Sequence, residues 1–139
     1  LAMTAAPRIL LIDDDPAGAE LTSAALLELG LGQNIVVASD GEEALDYLFR
    51  RNAFTHAPTA PPNVVLLDLK MPKVDGHEVL RQIRADPRLA RTHVVVLTSS
   101  DQEADIARSR ELGTDAYLVK PTSIVELIEQ LGQLATRWA

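Results

Sequence analysis

Five short apolar runs recur along the chain, at Ile9–Ile12, Ile35–Ala38, Val64–Leu67, Val94–Leu97 and Ala116–Val119. Each is rich in Val, Ile and Leu and lacks regular polar alternation, which is how strands of a parallel sheet covered on both faces read. The stretches between them carry helical periodicity and explicit start signals. Asp15-Pro16 sets a capping side chain before a proline whose missing N–H costs nothing at the first helical position. The helix that follows is expected to turn Leu21, Ala24, Ala25 and either Leu27 or Leu26 inward and to stop near Gly30. Capping-box spacings at Asp40…Glu43, Asp75…Glu78, Ser100…Glu103 and Ser123…Glu126 open the other four helices, and Gly113 closes the fourth. The order predicts five βα units, hence an α/β doubly wound parallel sheet with right-handed crossovers. Residues 51–62, with Pro58, Pro61 and Pro62, read as a long irregular surface connection.

Composition narrows this picture only in places. A length of 139 residues suits one domain, taken here as 8–139 behind a tail over 1–7, with Leu1-Ala2 ahead of Met3 reading as a cloning remnant. No cysteine is present, which removes disulfides, thiolate metal sites and cysteine nucleophiles. A formal net charge of -7 argues against nucleic acid as a direct partner, because a phosphate backbone calls for basic patches. No apolar run approaches a membrane span, and the start lacks the pattern of a secretory signal. A cytoplasmic protein away from the membrane is the expectation.

Ligands of open parallel sheets bind beyond the carboxyl ends of the strands. There this chain places Asp13, Asp14 and Asp15 after the first run and Asp68 after the third. Thr98, Ser99 and Ser100 follow the fourth, and Lys120-Pro121 follows the fifth. Singly, each has an ordinary explanation: Asp15 and Ser100 as helix caps, Lys120 as a solvated loop residue. Together they do not. Two unit charges 4 Å apart repel by about 4 kcal/mol at an effective dielectric near 20. A nest of Asp13, Asp14 and Asp68 therefore calls for a proton or a cation. All-oxygen ligation suits a hard ion, Mg²⁺ above all. The three histidines, His56, His77 and His93, have no metal-ligand spacing and read as surface or edge residues. Thr98 and Lys120 add a hydroxyl and a cation opposite, which makes a trap for phosphoryl oxygens around a carboxylate nucleophile.

The blocks ILLIDDDP (9–16), VVLLDLKMPKVDG (64–76), VVVLTSS (94–100) and DAYLVKP (115–121) resemble, in this order, the signature of response-regulator receiver domains, the CheY-like family. The resemblance spans essentially the whole chain. It implies a flavodoxin-like (βα)5 three-layer sandwich with strand order 2-1-3-4-5. It implies that Asp68 accepts the phosphoryl group, that Asp14 binds Mg²⁺ directly, that Asp13 does so through water, and that the Lys70 backbone carbonyl is a further ligand. Thr98 and Lys120 would hold the phosphoryl oxygens. Tyr117 would act as the aromatic switch that follows Thr98, and Lys120-Pro121 would be a cis peptide. Lys70 stands where the family tunes phosphoryl lifetime.

Within the family the likeness is to single-domain regulators paired with bacterial and cyanobacterial phytochrome histidine kinases. It rests on ELTSAALLELG, the proline-bearing insertion and LDLKMPKVDGHEVL. The expected function is thus a stand-alone response regulator in a phosphorelay, not an enzyme, signalling through the face of the fourth helix, fifth strand and fifth helix. A phosphate sink or a pseudo-receiver scaffold is the alternative. A flavin-binding flavodoxin would need a Ser/Thr-rich loop after the first strand, and a haloacid-dehalogenase-type phosphatase a different Asp-x-Asp context; neither is present. Leu134 and Trp138 extend the apolar stripe of the last helix past where short strands should reach, and a homodimer contact is expected there.

Overall fold

The computed structural model describes residues 6–138, so most of the expected tail, and all of Leu1-Ala2, lies outside the described residues. The strands are β1 (Ile9–Ile12), β2 (Ile35–Ala38), β3 (Val64–Leu67), β4 (His93–Thr98) and β5 (Ala116–Val119). The helices are α1 (Pro16–Glu28), α2 (Gly41–Leu48), α3 (Gly76–Ala85), α4 (Glu103–Glu111) and α5 (Ile124–Ala135). All neighbouring strands pair in parallel, in the order β2-β1-β3-β4-β5. This is the flavodoxin-like arrangement that the resemblance implied.

Alternate residues of each strand point to opposite faces, and the sheet divides its core accordingly. Leu10, Ile12, Val65, Leu67 and Val94 pack with Leu45, Leu48, Val79, Leu80 and Ile83 of α2 and α3. Ile9, Leu11, Val64, Leu66, Val95 and Leu97 pack with Ala25, Leu26, Leu127 and Leu131 of α1 and α5. Two helical layers thus enclose a sheet whose three inner strands are buried almost throughout.

Local signals acted largely as read. Asp15 caps the Ala17 amide, Asp40 that of Glu43 and Asp75 that of Glu78. Gly30 and Gly113 both adopt positive φ, 75° and 95°, just past α1 and α4. The choice left open in α1 falls to Leu26, which is buried, while Leu27 is 68% exposed and Leu21, expected inside, is 38% exposed. The small residues Ala19, Thr22 and Ala25 form the rest of the buried face, so α1 approaches the sheet along a stripe of low volume.

Four expectations need correction. Ser100 does not box α4: Gln102 is the N-cap, without a side-chain bond, and the Ser100 hydroxyl donates to Asp105 instead. The Lys120-Pro121 bond is trans, as are all peptide bonds among the described residues; trans is the favoured isomer of an X–Pro bond. His77 is not a free surface residue, since its Nε2 lies 3.2 Å from the Ser109 hydroxyl across the α3–α4 contact. Trp138 is 1% exposed and buried within its own chain, and Leu134 packs against the same core. The chain stays in the helical sense past α5, with Thr136 right-handed and the Trp138 amide donating to the Ala135 carbonyl at 3.1 Å, and the indole joins the core shared by α1 and α5. The indole itself presents no free surface, while Leu134 stays half-buried.

The connection after α2 is partly ordered by a short 3-10 turn, Asn52–Phe54, which periodicity had not suggested. Arg50 and Asn52 enter it at left-handed φ of 55° and 54°. Three guanidinium groups hold it through main-chain oxygens: Arg8 to Pro61, Arg50 to Ala57 and Thr55, and Arg88 to Thr59, with Arg88 also bonded to Leu48 at the end of α2.

Candidate functional site

Strand register brings the acids together. Ile12 pairs with Leu67, so the next residues, Asp13 and Asp68, stand side by side where the chain order reverses around β1 and β3. The Asp68 amide donates to the Ile12 carbonyl at 3.0 Å and the Asp13 amide to the Ala38 carbonyl at 3.1 Å, fixing both backbones. Asp13 is 3% and Asp68 7% exposed, whereas Asp14 faces solvent. Carboxylate oxygens of Asp13, Asp14 and Asp68 all lie within 4.8 Å of one another.

Lys120, at the end of β5, reaches into this cluster. Its Nζ donates to Asp13 Oδ2 at 2.8 Å and to Asp68 Oδ2 at 3.3 Å, and its amide is held by the Thr98 carbonyl at 2.7 Å. Burial by itself would lower the Lys120 pKa. The Asp13 hydrogen bond and the charges of Asp68 and Asp13 outweigh it, holding the ammonium above a lysine's ordinary value. A buried acid pair is thus compensated in part by one cation of the same chain, with room for further positive charge at Asp14.

Two glycines give the site its space. A Cβ on Gly76, at the start of α3, would collide with the Asp68 carbonyl oxygen and with Leu69 Cα, so only glycine lets α3 begin so close to the end of β3. A Cβ on Gly18 would stand 2.8 Å from Asp13 Oδ2 and 3.4 Å from Lys120 Nζ. Nothing in the sequence marks Gly18, which lies within a regular helix.

Thr98 is fully buried at the end of β4, and its Oγ1 accepts from the Ser100 amide at 3.4 Å. Tyr117 is half-buried, with its hydroxyl donating to the Ser100 carbonyl at 2.9 Å; burial is the main reason its pKa is raised. Lys70 follows Asp68 by two residues, and its amide donates to Asp68 Oδ1 at 3.3 Å. All the site residues read from the strand ends therefore converge, while buried Trp138 and half-buried Leu134 lie apart from them in the α1–α5 core. Asp105, which gathers Ser100 and Lys70, was not foreseen.

An acid pair at the switch point of a five-stranded parallel sheet, with a lysine and a buried threonine at neighbouring strand ends, defines a receiver-type signalling domain. The chain belongs to that family: the response regulator receiver domain matches residues 9–132. Such domains accept phosphoryl groups and are not enzymes in the ordinary sense. Response regulator Rcp1 of Synechocystis is 35% identical over 94% of this chain and 87% of its own length. A structure described as the Mn(2+)-bound form of Rcp1 has a TM-score of 0.84 over 95% of this chain and 94% of that one. The phosphorylated cyanobacterial phytochrome response regulator RcpA, 35% identical, gives 0.87 over 96% and 94%. The bacteriophytochrome response regulator AtBRR, 44% identical, gives 0.80 over 98% and 97%. Among the described residues no helix is long and apolar enough to cross a membrane.

Proposed function

We propose that this chain is the phosphorylation switch of a two-component relay, taking a phosphoryl group onto Asp68 from the phosphohistidine of a phytochrome-type histidine kinase. The observation that carries this reading is the cluster of Asp13, Asp14 and Asp68 within 4.8 Å, bridged on one side by Lys120. The descriptions of RcpA and AtBRR support the phytochrome pairing.

An Asp68 oxygen bonds to phosphorus in line as the P–N bond to the kinase histidine breaks and its electron pair stays on the imidazole nitrogen. Lys120 Nζ, already 3.3 Å from Asp68, is placed to donate to the phosphoryl oxygens, as is the Thr98 hydroxyl once it turns toward them. As Thr98 moves, Tyr117 gives up its bond to the Ser100 carbonyl and turns inward. That shifts the population of the α4–β5–α5 face, which partners read.

The donor set fits Mg²⁺: oxygen only, acidic, and open at Asp14. Asp14 and the Lys70 carbonyl would hold the ion directly and Asp13 through water; when bound it supplies charge neutralisation at the phosphoryl oxygens. Gly18→Ala should weaken Mg²⁺ binding by about tenfold, the low end for displaced ligand supports, because the new methyl presses on Asp13. Its gain in helix propensity offsets the crowding in overall stability. Calorimetric titration beside a thermal melt separates the two effects, and an unaltered affinity would show that Asp13 takes no part in the metal site.

The relay reading is tested by incubating the chain with a phosphorylated phytochrome-type kinase, or with acetyl phosphate, and Mg²⁺. Borohydride then reduces any acyl phosphate to homoserine at the modified position. The expected product carries homoserine at 68 and is lost with EDTA. Label elsewhere, or uptake indifferent to EDTA, would refute the assignment. Transfer from acetyl phosphate but from no phytochrome-type kinase would refute the pairing alone.

A further inference from the structure

Of the five helices, α4 is held least by apolar burial. Ser109 is its one fully buried residue, whereas each of the others buries at least two. Its seat is polar, and Asp105 is the centre of it. Asp105 Oδ2 accepts from the Ser100 hydroxyl at 2.6 Å and lies 3.4 Å from Lys70 Nζ. The Asp105 carbonyl lies 3.4 Å from His77 Nε2 on α3. One carboxylate on α4 therefore joins a residue two beyond Asp68 to a residue two beyond Thr98. An open cleft lined by Lys70, Ser99, Ser100, Ala104 and Asp105 lies over this polar seat, and the Lys70 amide links it to Asp68.

We propose that Asp105 is a positioning residue that draws the Lys70 ammonium away from the phosphoryl group on Asp68 and so sets how fast that group is hydrolysed. This rests on the reading of Asp68 as acceptor. The Lys70 amide sits on Asp68 itself, so its side chain springs from the rim of the site. That side chain is 67% exposed and free to swing between two anions. A phosphoryl group with more than one negative charge competes with Asp105 for it, and an exposed ion pair is a weak restraint. In hydrolysis a water oxygen bonds to phosphorus opposite Asp68. The P–O bond to Asp68 breaks with its electron pair kept by the carboxylate, and the water proton leaves to solvent as inorganic phosphate departs. An ammonium seated on the outer phosphoryl oxygens occupies that line of approach. While Asp105 keeps its charge, the line stays open.

The phosphoryl lifetime after removal of acetyl phosphate tests this in Asp105→Asn, Lys70→Met and the double variant, with Asp105→Glu as the conservative control. Asp105→Asn should lengthen the lifetime about two- to fivefold, the fold-change that an ion pair of surface strength represents. Lys70→Met should abolish that increment, and Asp105→Glu should restore the original lifetime. A merely structural Asp105 would act equally with or without Lys70. An unchanged or shortened lifetime, or a lengthening that survives in the double variant, overturns the proposal. Failure of the unaltered chain to take up any phosphoryl group would instead overturn the reading of Asp68.

Discussion

Lys120→Met is expected to destabilise the metal-free chain by about 3 kcal/mol and to slow phosphoryl uptake by about 100-fold or more. Both effects come from one atom. Lys120 Nζ is the only cation within 4 Å of Asp13 or Asp68 among the described residues. The side chain of Asp13 is 2% exposed and that of Asp68 10%. Without the ammonium, two buried carboxylates face each other, and breaking a buried pair costs about 3–5 kcal/mol. The lower end applies because Lys120 itself keeps 24% of its side chain in water. Mg²⁺ should then rescue the variant more than it helps the unaltered chain, since the ion meets a larger uncompensated charge. At about 100 times its dissociation constant a ligand returns some 2.7 kcal/mol. Urea melts in EDTA and in Mg²⁺ read the difference directly. A variant as stable as the parent in EDTA would show that the acids do not rely on Lys120.

Trp138→Ala should cost about 3–5 kcal/mol, the range for deleting a large aromatic from a core. The indole is 1% exposed and packs in the cluster that joins α1, α5 and the outer face of the sheet. It is the chain's single tryptophan, so its fluorescence reports its own surroundings. A blue-shifted emission that moves red on unfolding is expected at every protein concentration. A loss under 1 kcal/mol, or an emission maximum that depends on concentration, would return Trp138 to the surface role first expected of it.

That first expectation shows where sequence reasoning reached its limit. The strands, their order and the convergence of Asp13, Asp68, Thr98 and Lys120 were legible, because parallel strands fix which residue ends where and chemistry gathers at those ends. Trp138 was misplaced because periodicity gives no measure of how far the core beneath a helix extends: the chain tightens into i→i−3 bonds past Ala135 without reversing, and the indole still reaches that core. Leu26 and Leu27 could not be separated, since adjacent leucines fit the same stripe until small neighbours decide the approach. Asp105 was missed for another reason. Its partners, Lys70 and Ser100, lie 35 and 5 positions away, and only the docking of α4 beside the β3–α3 loop brings all three within reach.

The grip of Arg8, Arg50 and Arg88 on the 51–62 segment has its own consequence. Every oxygen they hold within the segment belongs to the main chain, and any amino acid supplies one. The later part of this segment is therefore shaped by Arg8, Arg50 and Arg88 outside it, while Arg51, Asn52 and Phe54 tie its start to Asp46 and Tyr47 of α2. A lineage could rewrite residues 55–60 to suit a new neighbour without rebuilding that scaffold.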